Sequence, residues 1–363
     1  AELARRGLSF HHGGEKAAPE YTICALSGMS SSSDVHRYRQ CGVAMCLIGE
    51  SLMRAADPKA AIASLCLDPA DHEKSEGTAN VGSAYTAGTK LVKVCGITNP
   101  EDALVACRAS ANLIGIIFAS KSKRCIQSVE QGRAIVQAVR EFGERTDRID
   151  ILANYDDESK RSPLEALVCK SKLLQEAARR PLVVGVFQNQ DSSFIADMVE
   201  QCGLDLVQLH GNEGMAAANP KLCGGVPALR VMDIETKSSS GGATEMDQDE
   251  TETDPTKRIL EALTADPLAI LLDTSIKGDK SGGGTGVTFD WTIAEALQNN
   301  GLPVLIAGGL QAENVESAVS SVRPWGVDVS SGVEASPGQK NHKQVTAFCT
   351  NVRHAAKEAS KGF

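Results

Sequence analysis

A cysteine and an aspartate end two apolar segments that lie far apart in the chain. Cys95 ends the segment 91–95, and Asp273 ends the segment 269–273. A thiolate can remove a proton and a carboxylic acid can donate one, so the two side chains could act as base and acid on one substrate. Taken singly, a cysteine in a strand is more often an apolar core residue, and an aspartate at a strand end more often caps a helix or a turn. The chemistry therefore requires a fold that brings the two residues together.

Glycine-rich turns follow the last two apolar segments of the chain. Gly309 lies just after 304–307, and Gly332 lies just after 327–330. Such turns expose backbone N–H groups to which a phosphate can bind, and the N-terminus of a helix there adds the positive end of its dipole. The alternative is that these glycines only form tight turns between elements.

The elements that would position these residues alternate regularly from Lys90 onward. Helix-like segments separate eight short, mostly apolar strand candidates, which are residues 91–95, 113–118, 182–187, 206–209, 228–232, 269–273, 304–307 and 327–330. Asn99-Pro100-Glu101-Asp102 is a typical helix start, with a capping Asn, Pro at the first helical position and acids in the first turn. Eight strands that alternate with helices predict the α/β class and a (β/α)8 TIM barrel. The active site of such a barrel lies at the C-terminal ends of the strands.

Two segments are longer than the usual connections of such a barrel, and we interpret both as insertions. The segment 144–180 contains Ser162-Pro163 followed by a periodic apolar pattern, which predicts an amphipathic helix with an N-terminal cap. The segment 234–256 is rich in Ser and Gly and then acidic, and we expect it to be disordered.

The first 66 residues have the pattern of two strand–helix units. The candidate elements are residues 21–26, 32–40, 44–48 and 51–65. Because two strands cannot bury both faces of a parallel sheet, we interpret residues 1–66 as an incomplete βαβα fragment of a second barrel. Residues 67–89 carry Pro, Gly, Ser and charge without periodicity and are interpreted as a linker. The predicted barrel then occupies residues 90–363.

Composition excludes several classes of protein. The chain of 363 residues is 42% hydrophobic and 23% charged, which is ordinary for a globular protein, and no apolar run is long enough to span a membrane. Its formal net charge is −9, of which six charges fall between residues 245 and 254, so a nucleic-acid binder is not expected. Eleven cysteines without a Cys-x-x-Cys pair fit neither a disulfide framework nor a zinc site. They favour a reducing compartment.

Residues 90–363 contain seven distinctive sequence motifs. They are Lys93-Val94-Cys95-Gly96-Ile97-Thr98, Gly115-Ile116-Ile117-Phe118, Val207-Gln208-Leu209-His210-Gly211-Asn212-Glu213, Leu271-Leu272-Asp273, Gly283-Gly284-Thr285-Gly286-Val287-Thr288-Phe289-Asp290-Trp291, Ala307-Gly308-Gly309-Leu310 and Val327-Asp328-Val329-Ser330-Ser331-Gly332-Val333-Glu334. Phosphoribosylanthranilate isomerases, which catalyse the third step of tryptophan biosynthesis after chorismate, carry these motifs in the same order. The chain resembles this family over the whole predicted barrel.

The resemblance implies an Amadori rearrangement. It would convert N-(5-phosphoribosyl)anthranilate to 1-(2-carboxyphenylamino)-1-deoxyribulose 5-phosphate. Asp273 would be the general acid that protonates the ribose ring oxygen, and Cys95 would be the general base that removes the C2 proton as a thiolate. Hydrogen moves within one molecule, so neither a cofactor nor a metal is expected.

The resemblance also assigns residues to substrate binding. Arg124 would hold the anthranilate carboxylate, because a guanidinium matches a planar carboxylate. Backbone N–H groups of Gly309, Ser331 and Gly332 would bind the phosphate. The remaining residues assigned to the substrate are His210, Gly283 and Asp328. The family usually has Ser-Pro-Arg where this chain has Ser122-Lys123-Arg124, so the turn that carries the arginine lacks its stiffening proline.

Residues 20–66 resemble the last two βα units of indole-3-glycerol phosphate synthase. The matching residues are Ala25-Leu26-Ser27-Gly28-Met29, Asp34-Val35, Gly42, Leu47-Ile48-Gly49-Glu50-Ser51-Leu52-Met53-Arg54 and Asp57-Pro58. The catalytic lysines and glutamates of that family lie on earlier strands than these, so we expect no synthase activity from residues 1–66. The two resemblances together imply part of a longer, fused polypeptide. We expect it in the cytoplasm, or in a plastid if the host is photosynthetic.

Three alternatives remain at this point. The related sugar isomerase of histidine biosynthesis also opens a phosphoribosyl ring, but it resembles a barrel with Asp at both the acid and the base positions. A barrel that binds phosphorylated ligands without catalysis would keep the glycine turns and would not need Cys95 and Asp273. Finally, residues 1–66 could retain synthase activity.

Overall fold

The computed structural model describes residues 24–26, 35, 45–48, 52, 90–156, 161–236, 254–276 and 290–361. The chain divides into two units, Ala1–Asn80 and Val81–Phe363, which we describe separately. Among the described residues, the longest apolar helical stretches fall short of what a membrane crossing needs.

The first unit contains a pair of parallel strands. Strands β1 (Cys24–Leu26) and β2 (Met45–Leu47) pair with Cys24 opposite Met45 and Leu26 opposite Leu47. They lie within the strands predicted from the sequence. The two helices predicted there, at 32–40 and 51–65, lie outside the described residues apart from Val35 and Leu52, which are helical.

The second unit is a closed barrel of eight parallel strands. The strands are β3 (Leu91–Val94), β4 (Leu113–Ile117), β5 (Leu182–Phe187), β6 (Leu206–Leu209), β7 (Ala228–Thr236), β8 (Ala269–Ile276), β9 (Val304–Ile306) and β10 (Gly326–Val329). Each strand pairs with the next one along the chain, and β10 closes the ring on β3 with Gly326 opposite Leu91 and Val329 opposite Val94. The predicted (β/α)8 barrel is confirmed.

Helices surround the barrel. Their bounds are α1 (Pro100–Arg108), α2 (Val129–Phe142), α3 (Pro163–Ala177), α4 (Ser192–Cys202), α5 (Pro255–Glu261), α6 (Thr292–Asn299), α7 (Val315–Val322) and α8 (His342–Lys361). Two short 3-10 turns, Ala216–Ala218 and Pro220–Leu222, follow β6. After β10 come a 3-10 turn, Ser331–Val333, and a hairpin of β11 (Glu334–Ser336) and β12 (Gln339–Lys340).

Local side-chain caps explain where the helices begin. The Asn99 side chain accepts a hydrogen bond from the Asp102 backbone N–H at 2.8 Å, with Pro100 at the first helical position, as the sequence predicts. Ser162 and Glu165 form a reciprocal capping box at the start of α3. Each such cap satisfies N–H groups that a helix leaves unpaired at its N-terminus.

Two strands are longer than predicted. The sequence pattern ended them at residues 232 and 273, whereas β7 continues to Thr236 and β8 to Ile276. They pair with each other in register along this whole extension, up to Thr236 opposite Ile276. Mutual pairing therefore extends both strands past the end of their apolar runs. Residues 234–236, predicted to begin an insertion, belong to β7, and residues 237–253 of that segment lie outside the described residues.

The helix α3, predicted within the segment 144–180, covers the N-terminal end of the barrel. Leu174 on α3 is fully buried in one apolar cluster with residues at the first positions of the strands. These residues are Leu91, Leu113, Leu182, Leu206 and Ala269. Lys170, also on α3, donates a hydrogen bond to the carbonyl of Ala265, just before β8. The core is therefore closed at this end, which leaves the opposite, C-terminal end for chemistry.

Candidate active site

The barrel topology brings the predicted acid and base to one end of the molecule. Cys95 directly follows β3 and is 5% exposed, and Asp273 lies in the C-terminal half of β8 and is 8% exposed. All eight strands are parallel, so both residues lie toward the same C-terminal mouth. Asp328 on β10 is close enough to raise the pKa of both the Cys95 thiol and the Asp273 carboxyl.

A buried ion pair lies beside Cys95. The Lys93 ammonium donates hydrogen bonds to both carboxylate oxygens of Asp328 at 3.1 Å, and its side chain is fully buried. Burial opposes the charge of Lys93, but the attraction of Asp328 and Cys95 raises its pKa overall. Burial raises the pKa of the Cys95 thiol overall, and the neighbouring Lys93 opposes this shift.

The carboxyl group of Asp273 is largely shielded from water. Burial raises the pKa of its carboxyl to about 6, against the opposing effect of His210, so the group can carry a proton near neutral pH. One carboxylate oxygen accepts a hydrogen bond from the backbone N–H of Thr274 at 2.7 Å. The His210 Nε2 atom lies 3.4 Å from the other oxygen.

His210 lies between two carboxyl groups. It directly follows β6, and its Nε2 atom is 3.5 Å from Asp233 on β7 as well as 3.4 Å from Asp273. Burial works against its positive charge, but the two aspartates together raise its pKa. The two aspartates therefore favour a protonated His210, and this predicted substrate-binding residue is also a neighbour of Asp273.

The guanidinium of Arg124 is engaged by a carboxylate of the protein itself. Its Nε and Nη2 atoms donate to the two oxygens of Glu334 at 2.8 Å each, and this pairing raises the pKa of Arg124. Lys340 on β12 donates to the same carboxylate at 3.0 Å and to the Ser330 carbonyl at 2.9 Å. Although burial works against it, these two cations lower the pKa of Glu334. Arg124 therefore lies at the mouth, as predicted, with Nη1 left unused by the pair.

The two glycine turns touch each other at the mouth. A Cβ atom added at Gly332 would lie 2.0 Å from the carbonyl oxygen of Leu310, next to Gly309. A Cβ atom at Gly308 would lie 2.2 Å from the Thr274 hydroxyl, and both Gly308 and Gly309 have positive φ angles of 83° and 63°. Only glycine allows this close approach without strain.

These turns offer unpaired backbone donors. Ser331 and Gly332 begin a 3-10 turn, where the first N–H groups of a helix have no partner within it. In the part of the chain that the structure describes, no acceptor is found for the N–H of Gly309 either. The turns can therefore present several N–H groups to one anion.

Two further residues, Asp328 and Gly283, were predicted to bind the substrate. Asp328 points its carboxylate at Lys93. Gly283 lies outside the described residues. Within the described ranges, no group of three or more His, Cys, Asp or Glu side chains could hold a metal ion.

Four charged residues near the site have no role in the prediction from the sequence: Lys93, Asp233, Glu334 and Lys340. Lys93 and Glu334 stand inside quoted motifs, and a lysine inside an otherwise apolar strand was a visible signal for the first. Asp233 falls one residue beyond the predicted end of its strand. Nothing in the local pattern around Lys340 marks it, because its burial depends on the hairpin that follows the 3-10 turn.

The fold and the mouth define a (β/α)8 barrel protein with a buried cysteine and a buried aspartate toward one mouth, where two glycine turns are in contact. The family model "N-(5'phosphoribosyl)anthranilate (PRA) isomerase" matches residues 156–351, more than half of the chain. The chain therefore belongs to the phosphoribosylanthranilate isomerase family. The model of indole-3-glycerol phosphate synthase matches residues 14–65.

Individual relatives agree with this assignment. An N-(5'-phosphoribosyl)anthranilate isomerase of Geobacter sulfurreducens is 33% identical over 267 residues, covering 72% of this chain and 98% of the relative. A tryptophan biosynthesis protein of Phytophthora nicotianae is 39% identical over 360 residues. The chain spans 61% of that relative, and 41% of a multifunctional tryptophan biosynthesis protein of Phycomyces blakesleeanus that is 36% identical. The crystal structure of the phosphoribosyl anthranilate isomerase of Thermotoga maritima shares 29% sequence identity with this chain, and its TM-score is 0.49. The match covers 76% of this chain and all of the Thermotoga maritima chain.

Proposed function

We propose that this chain catalyses the isomerisation of N-(5-phosphoribosyl)anthranilate to 1-(2-carboxyphenylamino)-1-deoxyribulose 5-phosphate in tryptophan biosynthesis. One observation carries the proposal. A carboxyl group with a pKa raised to about 6 lies toward the same mouth of one barrel as the Cys95 thiol. Burial raises the pKa of this thiol overall, and the neighbouring cations Lys93 and Lys340 oppose that shift. Ring opening requires an acid that can still be protonated close to neutral pH, and C2 deprotonation requires a base, whose thiolate form the neighbouring cations favour.

The proton movements can be assigned to these groups. Asp273 donates its proton to the ribose ring oxygen, the C1–O bond breaks, and the sugar opens as an iminium ion. Cys95 removes the C2 proton as a thiolate, and the electrons of the C–H bond neutralise the iminium to give an enolamine. The enolamine then tautomerises to the ketone. Since the acid has lost one proton and the thiolate has gained one, one proton must return to Asp273 before the next turnover.

Substrate binding follows from the surrounding donors. The N–H groups of Gly309, Ser331 and Gly332 would hold the phosphate, because two turns in contact can direct several donors at one anion. Arg124 would hold the anthranilate carboxylate with the part of its guanidinium that Glu334 leaves unused. We also retain His210, Gly283 and Asp328 as residues that contact the substrate.

The test is a fluorescence assay that follows consumption of phosphoribosylanthranilate by the purified chain. We expect turnover by the native chain and loss of it in Cys95→Ala. Cys169→Ala is the matched control, because Cys169 is a partly buried thiol on α3, at the other end of the barrel. This control should keep native turnover.

The outcomes separate the alternatives. If Cys95→Ala keeps most of its turnover, the thiol is not the base, and an aspartate-based sugar isomerase becomes the better assignment. If the native chain binds a phosphorylated ligand but consumes no substrate, the barrel is a binding protein.

Residues 1–66 would supply no synthase activity, and we propose that the chain works as part of a longer, fused polypeptide. The synthase model covers 52 residues, from 14 to 65, and relatives described as multifunctional extend well beyond the matched part. We also retain the boundaries of 1–66 for this fragment, 67–89 for the linker and 90–363 for the barrel. Formation of indole-glycerol phosphate by the chain would contradict the first statement.

We infer that the protein acts in a reducing compartment, the cytoplasm or, in a photosynthetic host, a plastid. The seven cysteines described in the barrel are free thiols, which supports this. Fractionation of the host's cells with an antibody against the chain tests it, and recovery from an oxidising compartment would contradict it.

A further inference from the structure

The fully buried Lys93 has no evident structural purpose. Its side chain has no exposed surface and stands at a barrel position where apolar residues normally fill the core. Replacing a buried ion pair by apolar residues of similar volume is often neutral or stabilising, so the pair of Lys93 and Asp328 is not explained by stability. A role in the chemistry at the mouth would explain it.

The geometry of β3 directs Lys93 toward Cys95. The two residues are separated by one position, and alternate side chains of a strand lie on the same face of the sheet. Asp328 lies directly opposite Lys93 in the pairing of β3 with β10, which fixes the ammonium group between the two strands. The Sγ atom of Cys95 also packs close to Gly115 on β4, where an added Cβ would lie 2.8 Å from it. The thiol therefore has little freedom to turn away.

We propose that Lys93 is a positioning residue that stabilises the thiolate of Cys95, with Asp328 holding its ammonium group in place. The proposal rests on the proposed function for its purpose, since it concerns the base of that reaction. Other charges also act on the thiol. Lys340 on β12 favours the thiolate, Asp328 opposes it, and Arg124 reaches it from the loop after β4 while being neutralised by Glu334. Lys93 is the one cation within β3 itself.

The test measures the thiolate directly, without substrate. The ultraviolet absorbance of the thiolate is recorded against pH, and the titration of the Cys95→Ser variant is subtracted, so that the other cysteines cancel. In Lys93→Met, which removes the charge and keeps the length, we expect the midpoint of the Cys95 titration to rise by about 1 to 3 pH units. Lys93→Arg, which keeps a charge, should restore much of the native midpoint.

Lys90→Met is the matched control. Lys90 is also a buried lysine, just before β3, but its ammonium donates to the Arg323 carbonyl at 3.0 Å, at the opposite end of the barrel from Cys95. This variant should leave the midpoint of Cys95 at the native value and should keep native turnover.

A failure of this inference can be told apart from a failure of the proposed function. An unchanged midpoint in a folded Lys93→Met variant would overturn the inference, whether or not the chain is an isomerase. If Lys93→Met does not fold, Lys93→Gln is titrated instead and is judged in the same way. In the active enzyme, the acidic limb of the pH profile of kcat should move upward with the thiol midpoint, whereas a purely structural role would lower kcat at every pH alike.

Discussion

The acid proposed for this barrel should make the folded chain less stable as the pH rises. Burial raises the pKa of Asp273 from 3.8 to about 6. Between these two values the folded state holds a proton on Asp273 that the unfolded state has released. Stability then falls as the pH rises through this window, because the unfolded state binds fewer protons than the native state. This loss of stability is absent below about pH 4 and complete above about pH 6.

The size of the effect follows from the shift. One pKa unit corresponds to about 1.4 kcal/mol, so a shift of about two units corresponds to about 3 kcal/mol. Asp273→Asn keeps the shape of the side chain and cannot ionise. Its free energy of unfolding relative to the native chain should therefore increase by about 3 kcal/mol between pH 4 and pH 7. His210 keeps Asp233 as an acidic neighbour in this variant.

Urea denaturation of both proteins at several pH values measures this difference, and the titrations common to both proteins cancel in the subtraction. Asp197→Asn is the control, because Asp197 is exposed on α4, and its difference from the native chain should change little over the same range. A difference between native chain and Asp273→Asn that stays constant from pH 4 to pH 7 would refute the raised pKa and with it the case for Asp273 as the acid. The variant should also have lost turnover while remaining folded.

Three further predictions concern other parts of the barrel. Leu174→Ala on α3 should lower the free energy of unfolding by about 2 to 5 kcal/mol, measured by urea, because it opens a cavity at a fully buried position. The exposed Lys172→Ala on the same helix should change it little, and an equal loss in both would argue against the packing of α3. Gly332→Ala should raise the KM for the substrate about tenfold or more, through loss of a charged hydrogen bond of about 1.5 to 3 kcal/mol, because its Cβ would collide with the Leu310 carbonyl. A native KM would remove these turns from the phosphate site. Replacement of the six acids between residues 245 and 254 by their amides should leave kcat near the native value, and a large loss would identify that segment as a lid.

The barrel itself was predictable because its signal is local. Most strands contain a short apolar run that is buried on both faces, and several of these runs are followed within two residues by a glycine, such as Gly96, Gly211 or Gly308. The end points of β7 and β8 were not predictable in the same way. Their last residues are held by pairing with each other, and that pairing depends on a strand about forty residues away in the chain.

The site was predictable only in part for a similar reason. Cys95 directly follows β3 and Asp273 lies in the C-terminal half of β8, and barrel topology alone places both toward one mouth. The engagement of Arg124 by Glu334 could not be predicted, because the two are 210 positions apart and meet through a hairpin that no periodicity marks. The helix α3 was predicted from its cap and apolar pattern, but its position over the opposite end of the barrel depends on packing with several strands at once.

The pairing of β3 with β10 has a consequence for synthesis of the chain. The first strand of the barrel finds one of its two partners only when residues 326–329 have been made. Arg353 on α8 then donates hydrogen bonds to the Lys90 carbonyl and to Asn112, which ties the last helix to the first strand. A chain emerging from the ribosome therefore carries an unpaired strand edge until nearly all of its barrel has been translated, and chaperone binding during that interval would protect it from aggregation.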